Sequence, residues 1–255
     1  MTLWRQCFRT EKSTPQEKNM WTENAILRYY YRMNPLKKIS LFKDLSDDEL
    51  KELAPYLAGA TYKKRETIFS EGEPPEWFFI VKSGKVKITK LSHEGKELIL
   101  ELISPHDIFG GVAVLKNFPY PANAIAMEDT EVIRISRKNL MRIVDRFPNL
   151  MYCIALQLGD RMKSSHDSLK NIALERVEAR IAALLLKLAG KVGVETKEGL
   201  LIDMRLTKQD VADMVGTTVE TSIRTFSKFK KQGLVMDSDG KIIIKDREGL
   251  AAFSS

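Results

Sequence analysis

The stretch LTKQDVADMVGTTVETSIRTFSKFKKQG, Leu206–Gly233, constrains the architecture of this chain more than any other. Thr207 is a good N-cap, and Asp210 three residues later can return the hydrogen bond in a short-armed capping box. Val211, Met214 and Val215 follow at helical spacing. Gly216 then stands where a left-handed residue would end one helix and turn the chain. Thr217 or Thr218 caps a second helix, whose apolar face is Val219, Ile223 and Phe226. Its other face carries Glu220, Thr221, Arg224, Ser227, Lys228 and Lys231. A short helix, a glycine turn and a second helix with a polar, basic face is the layout of a helix-turn-helix.

Glu220 and Arg224 are four residues apart and therefore share one helix face. A carboxylate can accept from the cytosine amino group, and a guanidinium can donate two bonds to guanine O6 and N7. The same spacing also describes an ordinary surface ion pair of about 0.3–0.5 kcal/mol. The caps, the glycine turn and the basic flank tip the reading toward double-stranded DNA. The 41 Lys and Arg against 34 Asp and Glu, a net +7, fit a polyanionic partner.

A length of 255 residues allows one large or two modest domains. The two cysteines, Cys7 and Cys153, are too few for a disulfide scaffold or for a four-cysteine iron–sulfur cluster within one chain. No apolar run reaches the roughly 18–20 residues of a membrane span. The start, MTLWRQCFRTEKSTPQEKN, has no apolar h-region. The expectation is a soluble, cytoplasmic protein with no membrane partner. No nucleophile–base set, phosphate loop or metal-spaced Cys/His group is visible, so the chain reads as a non-enzyme.

Residues 1–35 read as an N-terminal extension, with a short helix over Asn24–Met33. Ser46 and Glu49 form a capping box at the start of a helix reaching Leu57. Seven strand-like runs follow at 60–62, 67–69, 77–81, 85–91, 96–102, 122–127 and 131–135, separated by turn signals, which predicts a β-sandwich or barrel. Ser136 caps a helix over Arg137–Arg146, and Pro148 opens a longer one. Along it Met151, Ala155, Leu158, Met162, Ser165, Leu169 and Ile172 make a heptad seam, which predicts a parallel two-chain coiled coil and hence a homodimer. An apolar helix, Glu175–Leu188, is ended by Ala189-Gly190, and a strand covers Leu200–Met204. After Gly233, Leu234–Met236 and Lys241–Ile244 form a hairpin closed by Asp-Gly, a wing. The fold class is α+β. A β-roll of jelly-roll type (36–147) precedes a dimerisation helix and hinge (148–173) and a winged helix-turn-helix (174–255).

In that order these parts resemble the cyclic-AMP receptor/fumarate–nitrate regulator (CRP/FNR) family of bacterial transcription factors. The stretches EGEPPEWFFIVKSGKVKI, EGKELIL, SPHDIFGG, DTEVIRI and LTKQDVADMVGTTVETSIR carry the likeness. It covers about Leu36 to Phe253 and makes the β-roll cyclic-nucleotide-binding-like. The resemblance implies base reading by Glu220 and Arg224, backbone or base contacts by Thr218 and Thr221, and phosphate contacts by Lys208 and Gln209. Ser222 and Lys228 complete the candidate DNA contacts. Val219 stands at a position that is Arg in the cyclic-AMP receptor and Val in fumarate–nitrate regulators. That implies a palindrome of TTGA-like half-sites one helical turn apart. RNA polymerase is the protein partner the resemblance implies.

The effector side departs from the family. A cyclic-nucleotide site in this fold needs a Glu for the ribose and an Arg for the cyclic phosphate. Gly111 stands where the Glu should be, and Tyr120, Pro121 or Ala122 where the Arg should be. An unpaired phosphate in such a pocket is costly, so cyclic AMP is not expected. The candidate pocket comprises Gly110, Gly111, Val112, Ala113, Tyr120, Pro121, Ala122, Asn123, Ser165 and His166. Its effector is open at this point: a small organic molecule, nothing at all, or a haem that senses nitric oxide or carbon monoxide through His106, His93 or His166. No metal is otherwise expected. A reading of another class is a cyclic-nucleotide-type regulatory module that binds no DNA; the helix-turn-helix and wing argue against it.

Overall fold

The computed structural model describes residues 36–39 and 41–253. The expected extension over 1–35, with its helix at 24–33 and Cys7, lies outside the described residues. The chain divides into two compact units. The first takes in the described residues up to Val86, with Ile103–Pro121 and Ala126–Ile154; the second takes in Lys87–Leu102, Ala122–Ile125 and the chain from Ala155.

In the first unit, Glu49 N–H donates to Ser46 Oγ at 3.3 Å, while Ser46 N–H donates to Glu49 Oε2 at 2.8 Å. This box opens α1 (Asp47–Leu53), and Pro55 then tightens the chain into a 3-10 turn over Ala54–Tyr56. The expected helix to Leu57 is therefore shorter in its α-helical part. The strands β1 (Ala58–Tyr62), β2 (Thr67–Phe69), β3 (Trp77–Ser83), β4 (Val86–Leu91), β5 (Glu97–Ile103), β7 (Asn123–Ala126) and β8 (Thr130–Ser136) match the seven runs read from sequence to within two residues at each end. A two-residue strand, β6 (Ile108–Phe109), and a short helix, α2 (Gly111–Lys116), were not expected.

One antiparallel sheet has the order β1–β8–β3–β6, with Tyr62 opposite Thr130 and Phe79 opposite both Arg134 and Phe109. Phe78, Phe79, Ile80 and Val81 are all buried, so β3 is covered on both faces and reads as a continuous apolar run. Ser136 caps α3 (Arg137–Arg146), accepting from Asn139 N–H, and Leu140 and Ile143 turn inward from it. The long helix α4 (Asn149–Leu174) buries only Leu150 and Ile154.

In the second unit, β4 and β5 form a hairpin flanked by β7. Glu101 of β5 pairs with Arg161 of α4 at 3.1 Å, and Leu102 carbonyl accepts from Lys191 at 2.9 Å. α4 ends at Leu174 and α5 (Val177–Val192) begins after a break at Glu175–Arg176, just past the 148–173 read as dimerisation helix and hinge. α5 runs four residues past the expected stop. Gly190 lies inside it, because the inward row Ile181, Leu185, Leu188 and Ala189 offsets the roughly 1 kcal/mol that a helical glycine costs. β9 (Gly193–Thr196) was also missed. It is wholly exposed, so its side chains give no alternating signal.

β10 (Gly199–Ile202), α6 (Lys208–Val215), α7 (Val219–Lys231), β11 (Val235–Ser238), β12 (Lys241–Ile244) and α8 (Arg247–Ala251) complete the unit. Its sheet has the order β11–β12–β10–β9, with Ile243 opposite both Met236 and Leu201. Asp239 (φ 49°) and Gly240 (φ 75°) form the turn, and both lie in the left-handed region that a type I′ hairpin requires. The fold class is the one the sequence predicts: antiparallel sheets, a long helix and a C-terminal winged helix-turn-helix.

Candidate DNA interface and effector domain

The helix-turn-helix is built by local chemistry. Asp210 N–H donates to Thr207 Oγ1 at 3.0 Å and Thr207 N–H donates to Asp210 Oδ2 at 2.9 Å. Thr207→Ala removes this cap and is expected to cost about 1 kcal/mol of stability in denaturant unfolding. Gly216 ends α6 at φ 66°, its N–H bonded to Ala212 carbonyl. Arg180 of α5 donates to Val215 carbonyl at 2.7 Å, so a guanidinium completes the helix end. Of the two candidate caps for α7, Thr218 serves, accepting from Thr221 N–H at 3.3 Å.

α7 buries Ser222, Thr225, Phe226 and Phe229 and turns Glu220, Arg224, Ser227, Lys228 and Lys231 outward. Glu220 and Arg224 thus share the open face. Arg224 Nη2 donates to Thr221 Oγ1 at 3.1 Å, which orients the guanidinium. Bonds to its own backbone N–H and to Thr218 hold the Glu220 carboxyl below the usual range, and the Arg224 charge adds to this. Ile223 is 48% exposed beside them. Ile223, Arg224, Ser227, Lys228, Lys231 and Gln232 line an open concavity of about 430 Å³ along the second half of the helix.

Ser222 must be withdrawn as a DNA contact. It is 0% exposed, on the same inward face as Phe226 and Phe229, and its hydroxyl has no partner among the described residues. The remaining candidates lie at or near the surface, though several are engaged. Lys208 pairs with Asp237 at 3.2 Å, Gln209 donates to Asp213 at 2.8 Å, and Lys228 pairs with Glu178 at 2.8 Å. Val219 is half-buried. Asp213 is itself buried, and desolvation pushes its carboxyl up. Sequence reasoning missed Arg180 and Asp237. Neither has a local signature, since both act on elements distant in sequence.

The candidate pocket residues fall into two sets. In the first unit, Gly110 (φ 74°) opens α2, and a Cβ there would lie 3.3 Å from both Phe79 and Tyr120. At Gly111 a Cβ would come within 2.9 Å of Phe78. Tyr120 is 3% exposed and stacks on Phe69 with ring centroids 3.8 Å apart. Phe79 and Phe109 extend the cluster, their centroids 4.9 Å apart. Tyr120 hydroxyl donates to Trp77 carbonyl at 2.6 Å and accepts from Trp77 N–H at 3.0 Å. Ala113 is buried, Val112 and Pro121 are exposed. In the second unit, Ala122 is buried, Asn123 is half-buried, and Ser165 and His166 are exposed on α4.

The three histidines are equally scattered. His93 sits exposed in the turn between β4 and β5. His106 is part-buried at φ 75° in the turn Ser104–Asp107, and its Nδ1 has no partner among the described residues. Among the described residues no group of three or more His, Cys, Asp or Glu could hold a metal ion, and no helix is long and apolar enough to cross a membrane. Along α4 most of the heptad seam is exposed: Met162 is 61% exposed and Leu169 65%, with Met151 and Ile172 also exposed and Leu158 half-buried.

A winged helix-turn-helix with an outward Glu–Arg pair, following an antiparallel β-domain and a long helix, defines a DNA-binding transcription regulator. Residues 60–147 match the cyclic nucleotide-binding domain model, and residues 179–253 match the Crp-like helix-turn-helix domain model. The chain is 26% identical over 216 residues to the CRP-like cAMP-activated global transcriptional regulator of Mycobacterium tuberculosis, covering 85% of this chain and 96% of that protein. It is 28% identical over 210 residues to the anaerobic regulatory protein of Bacillus subtilis, covering 81% and 88%. The structure of FixK2 from Bradyrhizobium japonicum shares the fold, with a TM-score of 0.71 at 22% identity over 78% of this chain and 98% of that one. The chain belongs to the CRP/FNR family of bacterial transcription regulators, which is not a class of enzymes.

Proposed function

We propose that the protein acts in the cytoplasm as a homodimer on a palindrome of TTGA-like half-sites. The exposed Glu220–Arg224 pair on α7 carries this reading, because its two groups suit a cytosine and a guanine edge. Two chains pair along Met151–Ile172, where the largely exposed seam favours a partner of the same sequence. Each recognition helix then enters one of two successive major grooves, about 34 Å apart. RNA polymerase is the partner through which bound protein acts.

The controlling effector is something other than cyclic AMP. Gly111 offers no carboxylate for a ribose, and none of Tyr120, Pro121 and Ala122 offers the cation that a cyclic phosphate would need. Such an effector must favour the DNA-competent arrangement, and the break at Glu175–Arg176 is where α5 can be re-aimed.

Selection from randomised duplexes tests the proposal. An inverted repeat of TTGA-like half-sites is expected, and an asymmetric or unrelated consensus would overturn it. Leu169→Asp places two like charges in the seam. It is expected to give a monomer by sedimentation and to lose binding to the repeat by more than about 100-fold, since each half-site then binds alone. Calorimetry with cyclic AMP should show no heat of binding. Protein made with haem supplied should show no Soret band; a band shifting with carbon monoxide would replace the organic effector by a gas.

A further inference from the structure

Asp237, on β11 of the wing, is reached by cations from both helices of the reading motif. Lys208, the first residue of α6, meets its Oδ1 at 3.2 Å, and Lys230, in the last turn of α7, meets the other oxygen. Lys208 also stands 3.9 Å over the Phe226 ring, so its ammonium is held rather than free in solvent. Burial works against ionisation of Asp237, but Lys230 and Lys208 outweigh it and hold the carboxyl below its usual range. Two neighbouring cations are matched in the same way: Arg205, before α6, with Asp239 at 3.2 Å, and Lys241 of the wing with Asp203.

In a helix-turn-helix the first helix crosses the DNA backbone while the second lies in the groove. A lysine at the start of α6 and one at the basic end of α7 are therefore placed to meet phosphates. Such contacts supply affinity without sequence information. We propose that Asp237 is a built-in counter-anion of the DNA interface, which occupies Lys208 and Lys230 and so limits sequence-independent binding. A phosphate must displace the carboxylate before either lysine contributes. The inference rests on the assignment of DNA binding to this chain, and it adds a residue that lowers affinity rather than raising it.

The test is binding of the full-length protein to a duplex of random sequence, followed by anisotropy across a salt series. Asp237→Asn removes the anion that occupies both lysines. Each one that then reaches a phosphate steepens the slope of log affinity against log salt by about 0.9. Between about 50 and 200 mM salt the variant is thus expected to lose about 3- to 12-fold more affinity than the parent, and to bind more tightly at the low end. Asp237→Glu, which keeps the anion, should retain the parental slope. An unchanged slope in Asp237→Asn, or weaker binding with a lowered melting temperature, would assign the carboxylate a purely structural role and overturn the proposal. If neither the parent nor Asp237→Asn binds any duplex, random or selected, at any salt, the DNA-binding assignment falls first and takes the inference with it.

Discussion

Tyr120→Ala is expected to destabilise the β-domain by about 3–5 kcal/mol, the cost of deleting a fully buried aromatic side chain. The ring stacks on Phe69 and lies against Gly110, and its hydroxyl satisfies both the N–H and the carbonyl of Trp77. Truncation leaves a cavity and two orphaned backbone groups. Tyr120→Phe keeps the stack, loses only the hydroxyl, and should cost about 1–3 kcal/mol. Denaturant unfolding followed by tryptophan fluorescence measures both; a loss under about 1 kcal/mol in the alanine variant would mean that the cluster does not hold the domain together.

The same residue gives the domain an alkaline limit. Burial pushes the Tyr120 hydroxyl up to about 12, from an ordinary value near 10. The folded state therefore binds this proton more tightly than the unfolded state. The contribution is complete below about pH 10 and is lost as pH rises from about 10 to 12. Stability should fall across that window in the parent and fall less in Tyr120→Phe.

Arg224→Ala is expected to weaken binding to the selected site by about 1–3 kcal/mol, roughly 5- to 150-fold, and to relax selection of one guanine in each half-site. Thr221 holds the guanidinium, so Thr221→Ala should reproduce a smaller part of the loss. Competition binding against half-sites substituted at each position measures both effects. If the same guanine were still selected by the alanine variant, Arg224 would be a phosphate contact and the base reader would lie elsewhere on α7.

The sequence made the helix-turn-helix legible because its determinants are local. Both capping boxes, the turn glycine and the Asp239-Gly240 hairpin act over two to four residues, and all four were found where read. The seven strands were legible through alternation and turn signals. What failed depended on distant partners. α5 continues through Gly190 because packing of its inward row outweighs a local breaker. Ser222 was read as a DNA contact, yet one helical step from Thr221 rotates it by about 100° into the core. The aromatic cluster joins Phe69, Phe79, Phe109 and Tyr120 from four separate stretches. The departures at the candidate pocket positions were visible in sequence; the stacking around Tyr120 was not.

Arg180 has a consequence for how such a regulator can evolve. Its guanidinium ties the first turn of α5 to the last carbonyl of α6, and Gly216 starts the turn into α7 at once. On the proposed function, a movement at Glu175–Arg176 would carry the reading helices with α5 through this contact. Occupancy of a promoter and the choice of its letters would then become separate traits. On that reading, changes near residue 175 would retune the first, and changes at Glu220 and Arg224 the second.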